Sequence, residues 1–195
     1  MTATRDEIIR SYLGDLIAVL DHVSEAVSIQ AGNEDFRRVA HAGRVIDNLN
    51  TVLVRQHADL EAHVKSMGGT SGGGVLKDVL GTVAGALAGL YGKMRGETAC
   101  RMLRDDHTAL TFVTVCTTML HTIALALDDS ATAALTLRHI QEYPPLILAL
   151  GELLPHAVVA DLIADKNLVV NLAAAEQAIR NLNDSWHGAS AAIPT

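Results

Sequence analysis

The chain has 195 residues, 49% of them hydrophobic and only 3% aromatic, with a formal charge of −7 and two cysteines. An Ala-, Leu-, Val- and Ile-rich chain of this length fills one sizeable core, and an aliphatic core with four prolines suits long helices better than sheets. The negative balance, without a Lys/Arg stripe interleaved with aromatics, argues against nucleic-acid binding, and two thiols supply neither a disulfide framework nor a zinc-ligand set.

The start, Met-Thr-Ala-Thr-Arg-Asp-Glu, is polar and acidic rather than basic and then apolar, so the expectation is a soluble cytoplasmic protein and not an exported one. From Arg5 to about Gln30, Ile9, Leu13, Leu16, Leu20, Val23 and Val27 recur at alternating four and three, which places one apolar stripe on a helix. Ala31-Gly32 ends it. Asn33 then offers an N-cap, with Glu34 and Asp35 in the following turn. The pattern predicts one second helix to about Met67 through Phe36, Val39, Gly43, Ile46, Leu49, Leu53, Leu60 and Val64, roughly 34 residues or ~50 Å long. Residues 1–67 thus form a first helical hairpin.

Gly68-Gly69-Thr70-Ser71-Gly72-Gly73-Gly74 resists regular structure and reads as a link. Residues 75–95 read as a crossover helix with Val75, Leu76, Val79, Leu80, Val83, Leu87 and Leu90 on one side and Gly81, Gly85, Gly89 and Gly92 on the other. Small residues at such spacing permit close packing in a subunit contact, or the helix lies on a membrane surface, against which the scarcity of Lys and Arg counts.

The second hairpin, 97–154, opens with a helix from about Glu97 to Asp128 on Leu103, Leu110, Val113, Leu120, Ala124 and Leu127. Its apolar stretch from Leu110 to Leu127 holds His121 and five threonines, so it is read as a buried helix and not a membrane span. Asp128-Asp129-Ser130 interrupts and caps. A helix from Ala131 toward Leu154 follows, which Pro144-Pro145 should kink or split near Tyr143, and Pro155 marks the next boundary. Residues 155–188 read as shorter trailing helices, His156 to Ala164 and Leu172 to Trp186, and 189–195 as a frayed tail.

With Leu103-Arg104-Asp105-Asp106-His107, Met119-Leu120-His121-Thr122 and Leu137-Arg138-His139 on the second hairpin, residues 8–155 resemble the bacterial ferritin-like stress proteins of largely unknown function. The resemblance implies an all-α, ferritin-like four-helix bundle with a Gly-rich crossover helix and C-terminal helices, in a single domain. A ferritin-like di-iron centre takes carboxylates from two helices and a Glu-x-x-His motif from each of the other two. No Glu-x-x-His occurs here; the second helix offers Val54 and His57, and the first passes Leu16, Leu20 and Val23 without an acid. The full ligand set is therefore absent, and no cofactor is expected from it.

The nearest substitutes are Asp106 and His107 on the third helix and a reversed His-x-x-Glu, His139 and Glu142, on the fourth. Imidazole and carboxylate on one helix face make a half-site for Fe, Mn or Zn. Alternatively, Asp106 and His139 satisfy each other or backbone groups. His121, in the most apolar helix, is either a ligand or proton relay or a core histidine satisfied by the threonine hydroxyls at 114, 117, 118 and 122. His57, Asp59, Glu61 and His63 form two pairs on different faces and read as a solvated helix end, while Asp21, His22 and Glu25 read as surface polar residues. No nucleophile elbow, activated cysteine or phosphate loop is present. Three functional readings follow: a non-catalytic scaffold or interaction protein that forms a homodimer; a metal-dependent oxidase or storage protein using Fe or Mn at Asp106, His107, His121, His139 and Glu142; and a membrane-surface or apolar-ligand binder acting through residues 75–95.

Overall fold

The computed structural model describes residues 4–68, 98–166 and 168–192, and all the regular structure among them is helical. The glycine-rich link from residue 69 and the expected crossover helix at 75–95 lie outside the described residues.

Helix α1 spans Arg5–Gln30 and opens on a capping box, in which the Thr4 hydroxyl accepts from the Glu7 amide at 3.3 Å and Glu7 Oε2 accepts from the Thr4 amide at 2.7 Å. The six expected stripe residues are buried, and Val19, Ala26 and Gln30 join them. The single long second helix is corrected to two elements. A 3-10 helix, Glu34–Arg38, is capped by Asn33 Oδ1 accepting from the Asp35 amide at 2.9 Å, and α2 begins only at Ala42 and runs Ala42–Ser66. Between them Val39 is extended and His41 turns left-handed at φ 70°. The break lets both Phe36 and Val39 reach the core, at 2% and 4% exposure, and it brings Ala42 rather than Gly43 inward. A left-handed turn costs a residue with a Cβ ~1 kcal/mol or more, and the His41 side chain makes no capping bond. His41→Gly is therefore expected to raise stability by about 1 kcal/mol in urea unfolding; an unchanged midpoint would count against strain at this turn.

Helix α3 spans Ala99–Ala126 and buries Leu103, Leu110, Val113, Leu120 and Ala124 as expected. Asp128, at φ 55°, turns the chain, and the Asp129 carboxylate accepts from the Thr132 amide and hydroxyl at 3.0 Å each. Helix α4, Ser130–Lys166, corrects two expectations: it continues unsplit through Pro144-Pro145, and it takes in Pro155 and the segment expected as a separate helix from His156. Prolines 144 and 145 deprive only the carbonyls of Ile140 and Gln141 of intrahelical donors. Both prolines face solvent, while Tyr143, Leu146 and Leu150 on the opposite side are anchored in the core and hold the two halves in line. After Asn171, helix α5 runs Ala174–Ala192, past the expected end at Trp186, and rests on α4 through buried Ala175 and a 3.5 Å pair between His156 and Glu176.

The long helices pack as a ring: α1 against α2 and α3, and α4 against α3 and α2. Paired residues give the directions. Gln30 meets Asp106 while Arg5 meets Asp128, so α1 and α3 are antiparallel. Thr117 meets Tyr143 and Cys100 meets Asp161 across α3 and α4; Gln56 meets Glu142 and His63 meets Thr132 across α2 and α4. The course is up, down, down, up. Gly68 closes α2 at the His63–Thr132 end, and Thr98 opens α3 at the other, where Asn33 touches Met102.

By length and composition α3 and the Ser130–Ala164 part of α4 are each apolar enough to cross a membrane. Of those apolar windows 33% in α3 and 28% in α4 is buried within the bundle.

Candidate functional site

Where the apolar stripes carry a polar residue, the helices are joined by hydrogen bonds. Gln30 stands one turn beyond Val27, and its Nε2 donates to the Asp106 carboxylate at 3.1 Å, with both residues buried. Gln56 stands between Leu53 and Leu60, fully buried, and its Nε2 donates to Glu142 Oε2 at 2.7 Å. Arg55 donates to the same oxygen at 2.6 Å. One turn along the same pair of helices, His139 Nε2 lies 3.5 Å from Asp59 Oδ2. A further turn on, His63 Nε2 contacts the Thr132 hydroxyl at 2.8 Å. Because that hydroxyl donates to Asp129, it accepts from His63, which fixes the proton on Nε2. Arg5 completes the chain, 3.9 Å from Asp129.

The five candidate ligands are thus distributed rather than gathered. Asp106 belongs to the α1–α3 contact with Gln30, and His107 faces Gly151 on α4, whose ideal Cβ would lie 3.8 Å from the imidazole Nε2. His121 Nδ1 donates to the Ala133 carbonyl at 3.1 Å and the Thr136 hydroxyl at 3.0 Å. The expected partners on its own helix are corrected, because Thr114, Thr117, Thr118 and Thr122 each donate to the carbonyl four residues back. His139 and Glu142 face α2. Asp106 and His139 do not meet each other; their partners are Gln30 and Asp59. Among the described residues no group of three or more His, Cys, Asp and Glu side chains is arranged to hold a metal ion. A ferritin-type centre requires several such ligands converging on one metal pair, and His139 with Glu142 supplies only two on one helix.

The helix end at 57–63 is also corrected from a solvated face: Asp59 and His63 bind α4, and His57 lies 3.9 Å from Asp21 on α1. Gln30, Gln56 and Arg55 were missing from the sequence-derived set. The two glutamines carry a signal, a polar side chain at an apolar-stripe position, which requires a buried partner.

Electrostatics follow burial. His139 is 2% exposed, so desolvation lowers its pKa below the ordinary 6.5, and Asp59 offsets this only in part. Its Nδ1, like Gln56 Oε1, has no hydrogen-bond partner among the described residues. An imidazole this enclosed cannot meet a substrate, as a general base must. Partial burial would raise the Glu142 carboxyl, but Arg55 and Gln56 outweigh it and hold the group below 4.5. Burial raises the thiols of Cys100 and Cys116, which suits inert cysteines rather than nucleophiles. The lowered His139 value has a sign: near pH 6.5 the unfolded chain takes up a proton that the folded chain refuses, so the neutral form stabilises the fold above that pH and the contribution falls away below it. The thermal midpoint is expected to drop between pH 7.5 and 5.5, and His139→Phe to flatten that slope; an equal slope in the variant would assign it to other groups.

Beside the seam an open groove of about 520 Å³ runs between α2 and α4, with Val45, Val52, Leu146 and Ala149 on its floor and Arg44, Asn48 and Glu142 at its rim. Compared with known proteins, the chain matches no family model, no curated protein and no solved structure.

Proposed function

We propose that this chain is a ferritin-like helical bundle acting as a non-catalytic scaffold or interaction protein, without the metal chemistry of that class. The up, down, down, up course, with Gly68 and Thr98 at opposite ends of the ring, supports the ferritin-like reading. One observation carries the scaffold reading. The acids and histidines that would serve as ligands are spent on neighbours, Asp106 with Gln30, Glu142 with Arg55 and Gln56, His139 with Asp59, His121 with Thr136. Two unpaired, half-buried cysteines fit a reducing compartment such as the cytoplasm.

Elemental analysis of untagged protein, before and after anaerobic loading with Fe(II) and Mn(II), tests the proposal. The expected result is folded protein without stoichiometric metal. Stoichiometric metal that is lost in His139→Ala or Asp106→Ala would establish the altered metal site instead.

A further inference from the structure

The outer surface of α3 is built without charge. Between Thr108 and Leu127 the sequence holds no Asp, Glu, Lys or Arg, and His121 turns inward to α4. Phe112, Val115 and Met119 stand in the open there at 37%, 51% and 49% exposure. Exposed threonines 111, 118 and 122 do not make the surface polar: each hydroxyl is spent on the carbonyl four residues back, at 2.8, 2.8 and 2.9 Å, which leaves its methyl group available to a partner. On neighbouring α4, Leu137 and Leu148, 44% and 66% exposed, extend the patch. Twenty helical residues cover ~30 Å and two packed helices ~20 Å, an outline of roughly 600 Å². That is at the upper limit of what monomers ordinarily leave bare, and once side-chain relief is included it approaches the ~800 Å² per partner of a standard interface.

We propose that this face binds a second copy of the chain, with α3 packed antiparallel on its counterpart about a two-fold axis at Val115. The sequence is self-complementary in that register. Phe112 comes opposite Thr118 of the second copy and Thr111 opposite its Met119, large against small on both sides of the axis. A lipid surface is the poorer occupant, because a chain of net charge −7 is repelled by anionic headgroups. The proposal deepens the scaffold reading and rests on it.

Light scattering on the full chain from 1 to 100 μM is expected to give twice the 20.7 kDa chain mass, and Val115→Glu to return it to 20.7 kDa with unchanged helical circular dichroism. Should Val115→Glu misfold, Val115→Cys in a Cys100→Ala, Cys116→Ala background provides a second test: residues on the axis meet their own copies, so oxidation should link the dimer there. Val54→Cys, 51% exposed on α2, should remain unlinked. Wild-type protein that is monomeric throughout, or a dimer that survives Val115→Glu and fails to cross-link at position 115, would overturn the proposal. So would flotation with phosphatidylcholine vesicles that Val115→Glu abolishes, which would assign the face to lipid. Metal uptake by an intact dimer would refute the scaffold reading but not the face, and a metal-free monomer the reverse.

Discussion

Replacing Tyr143 with alanine is expected to cost about 3–5 kcal/mol, the range for removing a buried aromatic ring, and no other single change considered should cost more. Tyr143 is 0% exposed and is the largest fully buried side chain among the described residues. It also precedes two prolines at which α4 lacks two backbone hydrogen bonds, so its ring is part of what keeps the helix continuous. Tyr143→Phe separates packing from polarity. The Thr117 hydroxyl donates to the Val113 carbonyl at 2.8 Å and therefore accepts from the Tyr143 hydroxyl at 3.2 Å, so removing the phenol leaves Thr117 bonded and should cost only about 1 kcal/mol. Urea unfolding of both variants checks the pair. Against a typical total of ~5–15 kcal/mol, the alanine variant should be near the limit of folding. A loss below about 1 kcal/mol for Tyr143→Ala would mean that the ring does not fill the core.

Asp129→Ala is expected to remove about 2 kcal/mol, the upper range for an N-cap, because one carboxylate caps α4 and also orders Thr132 and, through it, His63. Asp129→Asn should retain most of the cap, since asparagine caps as well as aspartate does. The two variants also differ from wild type in pH response. Burial would raise the Asp129 carboxyl, but the Thr132 amide and hydroxyl outweigh it and hold the value below 3.8. A lowered acid stabilises the fold above the unfolded value and loses that contribution as pH falls through the folded one. The gap between wild type and Asp129→Asn should therefore narrow below pH 4 in acid titrations followed by circular dichroism. A constant gap would place the effect in the cap alone.

Much of the fold is legible in periodicity. The stripes of α1 and α3 were readable because Leu, Val and Ile at three- and four-residue intervals have one low-energy burial, on a single helix face. The break at Val39–His41 was not, since neither Ala40 nor His41 is a helix breaker; the chain turns there because Phe36 and Val39 both gain by entering the core. Pro144-Pro145 misled in the opposite direction: local chemistry favours a split, and tertiary anchoring at Tyr143, Leu146 and Leu150 overrides it. For the site, the sequence places Asp106, His121, His139 and Glu142 within helices, but which residue meets which depends on helix order and register, and spacing along one chain does not encode those. Gln30 and Gln56 did carry a signal, a polar side chain on an apolar stripe.

The polar contacts are placed unevenly. Those that bridge the first hairpin, α1 and α2, to the second, α3 and α4, include Gln30–Asp106, Arg55 and Gln56 to Glu142, Asp59–His139 and His63–Thr132. Leucine stripes alone would let one half slide a turn along the other at little penalty, because one leucine replaces another. Sliding here would strand each buried amide, carboxylate and imidazole without its mate, at ~1–3 kcal/mol apiece. The two halves can therefore mate in one alignment only, as a key with several teeth enters one lock.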